Sequence, residues 1–300
     1  MDNCILTIGL PVFNDVKYIE KSLVALLNQT FCNFKLIISD DCSSDGSQQI
    51  CEKYAQKDNR IIYIRQIQNL GISRNMQFLL TLANTPYFMW AGDDDLYAPT
   101  FIENLIDTLE KSNAISVFCN FATIDEQDSV IETYTQFQYA EPNQKKRLKK
   151  FIRNSHDAFG YGIFKTDYIR EVQFPIWWWP NKNTPYNNIY PTLCYYLTKG
   201  DYAHVNGDAL FFKRVKTGKN VHHKIPGQNN AIKESLAYWI RRFNLVIFSS
   251  QMILKASNIW LMLYIFPYLF YNWFIIPSIN QFNLAFNAFI KKVIQKNKVI

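Results

Sequence analysis

The 300-residue chain is 48% hydrophobic and 16% aromatic, which supports a packed core and excludes an intrinsically disordered protein. Its six cysteines show no C-x-x-C spacing, which argues against a zinc site or a secreted disulfide framework and favours a reducing compartment. The net charge of +7 comes from residues 231–300, where eight Lys and Arg face one acidic residue. The first 230 residues are balanced in charge and carry no basic stripe interleaved with aromatics, so we expect no nucleic-acid partner.

Strands and helices are predicted to alternate along the first part of the chain. Short apolar runs rich in β-branched residues predict strands, and apolar residues at helical spacing predict the helices between them. Strands separated by helices of this length predict βαβ units, a mostly parallel sheet and an α/β fold. The predicted strands are Cys4–Leu10, Lys35–Ser39, Ile61–Ile64, Tyr87–Ala91 and Ile115–Phe121, and the predicted helices are Tyr18–Leu27, Ser47–Gln56, Ile72–Leu82 and Pro99–Lys111.

Two acidic clusters follow two of the predicted strands. Asp40 and Asp41 end the second strand, and three consecutive aspartates, residues 93–95, follow the fourth. Carboxylates after a buried strand are costly to desolvate unless positive charge meets them, and ligands bind at the carboxyl ends of strands in open α/β sheets. The chain contains neither G-x-G-x-x-G after its first strand nor a P-loop. We therefore expect Mg²⁺ or Mn²⁺, held by hard carboxylate oxygens, to meet the charge of a diphosphate.

Five short segments occur in a characteristic order in this region. They are IGLPVFN (8–14), NQTF (28–31), LIISDDCSSDG (36–46), NLGISRN (69–75) and AGDDDLYAP (91–99). Together they resemble the inverting family 2 glycosyltransferases of GT-A fold, and the combination is far more specific than any single motif. The resemblance implies a nucleotide-diphospho-sugar donor whose sugar passes to an acceptor hydroxyl.

The resemblance also implies roles for individual residues in the donor half of the site. Asp41 is expected to accept a hydrogen bond from the base, Asp93 to contact the ribose, and Arg74 to approach the nucleotide. Simpler interpretations stay open, because aspartates after a strand commonly cap helices or form solvated turns, and a single Arg near a helix start is commonly solvated. The implied donor-binding residues are Pro11, Phe13, Asn14, Asp15, Asp41, Arg74 and Asp93, and the implied metal ligands are Asp94 and Asp95.

The chain departs from the family pattern at two places. Gly92 replaces the first acid of the usual D-x-D-D motif. The family's general base, an acidic residue near a helix start in the second half of the domain, is replaced by Asn187 or Asn188, and asparagine cannot accept a proton as a base. Asp157 and His156 are the candidate replacements, with a plain surface loop as the alternative for both.

The C-terminal segment is predicted to associate with a membrane. Residues 256–290 contain no Asp, Glu, Lys, Arg or His, and Ile259–Ile279 is long enough for a span of about 20 residues. Pro267, Pro277 and several Tyr and Trp favour interfacial or re-entrant helices over a full crossing. Flanking Lys and Arg are typical of attraction to anionic lipid. We therefore predict a GT-A domain at 1–230 and a basic, aromatic helical tail at 231–300.

The predicted function is metal-dependent, inverting sugar transfer to a glycan or lipid-linked acceptor in surface polysaccharide biosynthesis. The expected location is the cytoplasmic face of the inner (plasma) membrane, with peripheral or monotopic attachment. A non-catalytic sugar-nucleotide-binding protein on the same fold is the alternative, because of the two asparagines. A sugar nucleotidyltransferase is less favoured, because the Gly-rich basic loop expected after its first strand is missing.

Overall fold

The computed structural model describes residues 4–172, 174, 189–216 and 231–279, with side chains from 231–237 excepted. Its eleven described strands form a seven-stranded sheet and a four-stranded sheet. The strands are β1 (Leu6–Val12), β2 (Phe34–Asp40), β3 (Ile61–Arg65), β4 (Tyr87–Trp90), β5 (Leu96–Tyr97), β6 (Ser116–Cys119), β7 (Phe121–Ile124), β8 (Val130–Tyr134), β9 (Ile163–Lys165), β10 (Tyr202–Val205) and β11 (Phe211–Arg214).

Helices alternate with the strands of the large sheet along the chain, and the last two helices come after the final strand. The described helices are α1 (Ile19–Leu27), α2 (Ser47–Lys57), α3 (Ile72–Thr81), α4 (Phe101–Glu110), α5 (Gln144–Arg153), α6 (Thr166–Ile169), α7 (Tyr190–Lys199), α8 (Ala231–Ala256) and α9 (Ile259–Phe270). A 3-10 turn, Ala158–Tyr161, precedes β9, and a π-helical turn, Tyr271–Ile275, extends α9.

The large sheet has the order β10-β6-β9-β4-β1-β2-β3 and is parallel except for β9. Every residue of β1 is buried, since the strand lies inside the sheet with helices on its faces. From β1 the chain adds β2 and β3 on one side and then crosses to β4 on the other. Ligands of open α/β sheets bind at such a switch point, so the loops after β1, β2 and β4 define the candidate site.

The predicted α/β class and the mostly parallel sheet are confirmed, and one predicted strand is wrong. The run Ile115–Phe121 was expected to be a single strand, but it divides at Asn120 into β6 of the large sheet and β7 of the small one. The buried Asn120 amide bridges the Gly207 carbonyl at 2.7 Å and His204 Nε2 at 2.9 Å. A run of apolar residues does not reveal such a change of sheet, because both halves are equally buried.

The C-terminal helices pack on the α/β domain along one face. Four side chains at helical spacing, Leu261, Ile265, Leu269 and Trp273, are buried, and the Trp273 indole donates to the Ile152 carbonyl at 2.9 Å. Residues 259–279 form, within the described part of the chain, one helix long and apolar enough to cross a membrane, and 22% of its most apolar window is buried.

Candidate active site

The crevice at the switch point opens because β4 ends before β1 does. Their pairing stops at Gly9 and Trp90, and the Gly9 carbonyl accepts the Ala91 N–H at 2.9 Å. Pro11 faces the same side as Gly9, since alternate residues of a parallel strand bond the same neighbour. Proline is tolerated there because β4 has ended and no ladder bond is lost. Pro11 itself, predicted to line the nucleotide pocket, is buried within β1, and the crevice begins at the residues after it.

The loop after β1 is fixed by the loop after β2. The N–H of Asn14 donates to Ser43 Oγ at 3.0 Å, and its side-chain oxygen accepts the Ser44 N–H at 2.8 Å. The N–H of Asp15 donates to Ser47 Oγ at 2.9 Å. Asn14 has a φ of 52°, a left-handed conformation in which asparagine is enriched. The loop after β1 and the loop after β2 therefore form one connected wall of the site.

Three carboxylates converge where this loop meets the loop after β4. Ligand oxygens of Asp15, Asp93 and Asp94 all lie within 4.8 Å of one another. The N–H of Phe13 donates to Asp93 Oδ2 at 3.2 Å, which ties the two loops together. Phe13 is 47% exposed beside these carboxylates, so its ring is accessible to a ligand.

Asp95, predicted as a metal ligand, lies outside this group of three. It is buried, and its Oδ1 accepts the N–H of Arg214 at 2.9 Å. A Cβ atom at Gly92 would lie 2.3 Å from Asp95 Oδ2. The buried carboxylate therefore occupies the space that a side chain at position 92 would need, which gives a physical reason for the missing first acid.

A basic segment at the end of β11, residues 213–216, lies against the aspartates. Lys216 Nζ lies 2.7 Å from Oδ2 of Asp15 and 2.7 Å from Oδ2 of Asp94. The buried guanidinium of Arg214 donates to the Asp94 carbonyl at 2.8 Å. These basic residues were not predicted as site residues, and their only sequence signal is the spacing K-R-V-K at residues 213–216.

The pKa shifts indicate that the cluster lacks positive charge. Burial, then the charges of Asp94 and Asp15, raise the pKa of Asp93 well above its ordinary value, and Lys216 opposes the rise. Burial and the charge of Asp94 raise the pKa of Asp95 to about 7. Burial would lower the pKa of Lys216, but the carboxylates outweigh it and raise that pKa. One lysine does not balance the group, and an additional cation would do so.

Asp41 directly follows β2, and its N–H donates to the Val12 carbonyl at the end of β1 at 2.8 Å. Its carboxylate is buried and accepts the N–H groups of Leu70 at 2.6 Å and Gly71 at 2.9 Å. Each carboxylate oxygen keeps a further lone pair, so the predicted bond to a base is compatible with this arrangement. Arg74 is exposed on the first turn of α3, which begins directly after Gly71.

Asp157 and His156, the predicted base candidates, have different surroundings. Asp157 is 43% exposed, and its Oδ2 accepts from Lys213 Nζ at 2.6 Å. Burial would raise the pKa of Asp157, but Lys213 outweighs it and lowers that pKa, so the group is a carboxylate at neutral pH. His156 Nδ1 accepts the Ala158 N–H at 3.0 Å, the ring packs on Phe121 at 4.6 Å, and burial lowers its pKa. The other two residues of this prediction, Asn187 and Asn188, lie outside the described residues.

The donor set fits a hard divalent cation. Asp15, Asp93 and Asp94 offer oxygen atoms only, in a compact group at the carboxyl ends of β1 and β4. Mg²⁺ and Mn²⁺ prefer such ligands and commonly bind one or two carboxylates together with phosphate oxygens. Asp15 and Asp93 were predicted as donor-binding residues, so the geometry adds both to Asp94 as possible ligands.

The fold is a mostly parallel α/β sheet with a carboxylate cluster at its switch point, the architecture of GT-A glycosyltransferases. Residues 7–173 match the family model described as glycosyl transferase family 2, and the chain belongs to this family.

Two relatives illustrate the similarity in sequence. Glycosyltransferase GlyG of Streptococcus pneumoniae is 27% identical over 134 residues, which cover 45% of this chain and 44% of GlyG. The minor teichoic acid biosynthesis protein GgaB of Bacillus subtilis is 34% identical over 112 residues, covering 36% of this chain and 12% of GgaB. The match to GlyG thus spans less than half of that relative's length.

Two solved structures share the GT-A fold. S. aureus TarS 1-349, in complex with UDP-GlcNAc, aligns with a TM-score of 0.59 at 14% identity, covering 84% of this chain and 71% of that one. The mannosyltransferase PcManGT from Pyrobaculum calidifontis, in complex with GDP-Man and Mn²⁺, aligns with a TM-score of 0.53 at 14% identity, covering 89% and 69%. At this identity the likeness concerns the fold.

Proposed function

We propose that this protein is a metal-dependent, inverting glycosyltransferase of surface polysaccharide biosynthesis. It moves a sugar from a nucleotide-diphospho-sugar to a hydroxyl of a glycan or lipid-linked acceptor. The observation that carries the proposal is the group Asp15, Asp93 and Asp94 at the switch point, beside the exposed ring of Phe13. The donor complexes of TarS and PcManGT, and the teichoic acid role in the name of GgaB, support it.

Different residues of the crevice contact different parts of the donor in this proposal. Phe13 and Asp41 flank the position of the base, and Asp93 faces the ribose. Asp94, with Asp15 and Asp93, would hold Mg²⁺ or Mn²⁺, which when bound stabilises negative charge on the leaving diphosphate. Lys213 and Lys216 add positive charge on the side of β11.

Asp157 is the proposed general base. Its pairing with Lys213 keeps it ionised, and its 43% exposure leaves the carboxylate open to an acceptor hydroxyl. A carboxylate in this position accepts the proton as the hydroxyl attacks the anomeric carbon opposite the departing diphosphate, which inverts the configuration. His156 supports this loop through its bond to the Ala158 N–H.

A panel of sugar nucleotides tests the reaction. Detergent-solubilised protein is incubated with each donor and Mn²⁺, with and without membrane lipid extract, and nucleoside diphosphate release is measured. We expect release with at least one donor, stimulated by the extract and abolished by EDTA. Silence across the panel together with retained nucleotide binding would instead favour the non-catalytic binding protein.

The tail is proposed to lie in the membrane interface as a monotopic anchor. One face of α9 is buried on the α/β domain, whereas the opposite face exposes large apolar side chains. Lys145 and Lys149 of α5 lie over tyrosines of α9, with Lys145 Nζ 4.6 Å from the ring centroid of Tyr264 and Lys149 Nζ 4.0 Å from that of Tyr268. Apolar side chains beside lysines are typical of helices that bind anionic lipid surfaces. The exposed large apolar residues of 259–279 are Ile259, Trp260, Leu263, Tyr264, Tyr271, Ile276 and Ile279.

The double substitution Trp260→Ser and Leu263→Ser is expected to reduce membrane binding. The two side chains are 77% and 53% exposed, so their loss removes little packing from the fold. Burying each in lipid stabilises the bound state by about 1.5–3 kcal/mol, so partitioning onto anionic vesicles should fall more than about tenfold in a sedimentation assay. Ile67→Ser is the matched control, because Ile67 is 100% exposed on the α/β domain. Equal binding by the double variant and the control would contradict the anchor.

A further inference from the structure

Lys216 occupies the position that a divalent cation needs. Its ammonium nitrogen lies 2.7 Å from Asp15 Oδ2 and 2.7 Å from Asp94 Oδ2, so one lysine bridges two members of the carboxylate cluster. The side chain is 23% exposed, and its ammonium also lies 5.1 Å from the ring centroid of Tyr18. Two ion pairs and the face of an aromatic ring therefore hold the Lys216 ammonium in one position.

A divalent cation and this ammonium compete for the same carboxylates, Asp15 and Asp94. A cation bonded to either carboxylate oxygen at about 2.1 Å would lie within about 5 Å of the nitrogen in its present place. At that separation inside a partly buried site, the like charges repel strongly. The lysine must therefore move when the cation enters, and four rotatable side-chain bonds allow it to do so.

The charge of the site shows where the lysine would go. Three carboxylates and one lysine leave net negative charge, which repels a diphosphate as well as attracting a cation. Once a divalent cation has joined the aspartates, the released ammonium and the diphosphate carry opposite charges and are neighbours. The exchange turns an internal ion pair into a contact with the donor.

We propose that Lys216 is a built-in competitor of the divalent cation, bound to Asp15 and Asp94 in the donor-free protein and transferred to the diphosphate when cation and donor bind together. This inference rests on the proposed function and deepens it, because it makes cation binding weak without nucleotide and strong with it. Such coupling is reciprocal, so the cation strengthens nucleotide binding by the same factor.

Direct measurement of Mn²⁺ affinity tests the exchange without any turnover. Free Mn²⁺ is titrated by electron paramagnetic resonance against wild type and Lys216→Gln, first without nucleotide and then with UDP. In Lys216→Gln we expect Mn²⁺ to bind about tenfold more tightly without UDP, and the gain in affinity on adding UDP to be about tenfold smaller than in wild type. Circular dichroism and thermal melting confirm that the variant is folded.

Lys17→Gln is the matched control. It removes the same charge close in sequence to Asp15, but Lys17 pairs with Glu126. Its Mn²⁺ affinity should equal that of wild type. An unchanged or weaker Mn²⁺ affinity in Lys216→Gln, in protein that still turns over a sugar nucleotide, would overturn the inference alone. A silent donor panel together with tighter Mn²⁺ binding in Lys216→Gln would overturn the proposed function and uphold the competitor role.

Discussion

Asp94→Asn is expected to weaken Mn²⁺-dependent binding of the nucleotide at least about hundredfold and to abolish sugar transfer. The substitution keeps the size of the side chain but removes one of three negative charges that converge within 4.8 Å. It also removes one of the two carboxylate charges that pair with Lys216, so Lys216 keeps only its ion pair with Asp15. A hundredfold change corresponds to about 2.7 kcal/mol, a reasonable value for a lost charged ligand in a partly buried site.

Isothermal titration of UDP with and without Mn²⁺ measures this effect. Asp107→Asn is the matched control, because Asp107 forms an exposed pair with Lys111 on α4 and should behave as wild type. Asp94→Asn and Lys216→Gln should shift Mn²⁺ affinity in opposite directions, although both break the same ion pair. Retention of wild-type Mn²⁺ dependence by Asp94→Asn would refute the assignment of the metal site.

The first half of the fold could be predicted because its signals are local. The predicted helices Ser47–Gln56 and Ile72–Leu82 match α2 (Ser47–Lys57) and α3 (Ile72–Thr81) within a residue. Hydrophobic periodicity within a window of some ten residues determines such elements. The same patterns gave the sheet class and hence the edge at which the loops after β1, β2 and β4 meet.

Whether each aspartate side chain faces the crevice or the interior could not be predicted from the sequence. Asp93, Asp94 and Asp95 are consecutive, yet Asp93 and Asp94 join Asp15 while Asp95 turns inward beside Gly92. A run of identical residues carries no information on which side chain faces the crevice. The positions are set by long-range contacts, such as the bond from the Arg214 N–H to Asp95.

The lysines of the site were missed for a related reason. Lys216 meets Asp15 across 201 positions of sequence, and Lys213 meets Asp157 across 56. These contacts depend on β11 pairing with β7 in the small sheet, which a strand pattern of four residues does not specify. The overall charge pointed instead to residues 231–300, because basic and acidic residues are equal in number over the first 230 residues.

Asp157→Asn is expected to reduce kcat at least about hundredfold, because a general base typically accelerates the reaction by about 10²–10⁴-fold. The affinity for UDP and Mn²⁺ should stay within about threefold of wild type. The amide keeps the shape of the carboxylate but cannot take the acceptor proton. His156→Gln should cost less, because His156 Nδ1 is engaged by the Ala158 N–H and the ring is packed on Phe121. Quench-flow or coupled assays at saturating donor measure the two variants.

The dependence of kcat on pH separates the two candidates. Lys213 outweighs burial and lowers the pKa of Asp157, so the carboxylate form persists down through the usual Asp range and is lost only as pH falls through this lowered pKa. At saturating Mn²⁺, the wild-type rate should therefore show no acid limb at or above the ordinary pKa range of Asp, whereas a histidine base would give a limb at higher pH. Lys213→Met removes the positive charge that lowers the pKa of Asp157, so the acid limb should move to higher pH. If Asp157→Asn retained kcat within a few-fold of wild type, the proton would have to leave by another group, and the acceptor half of this site would need a different base.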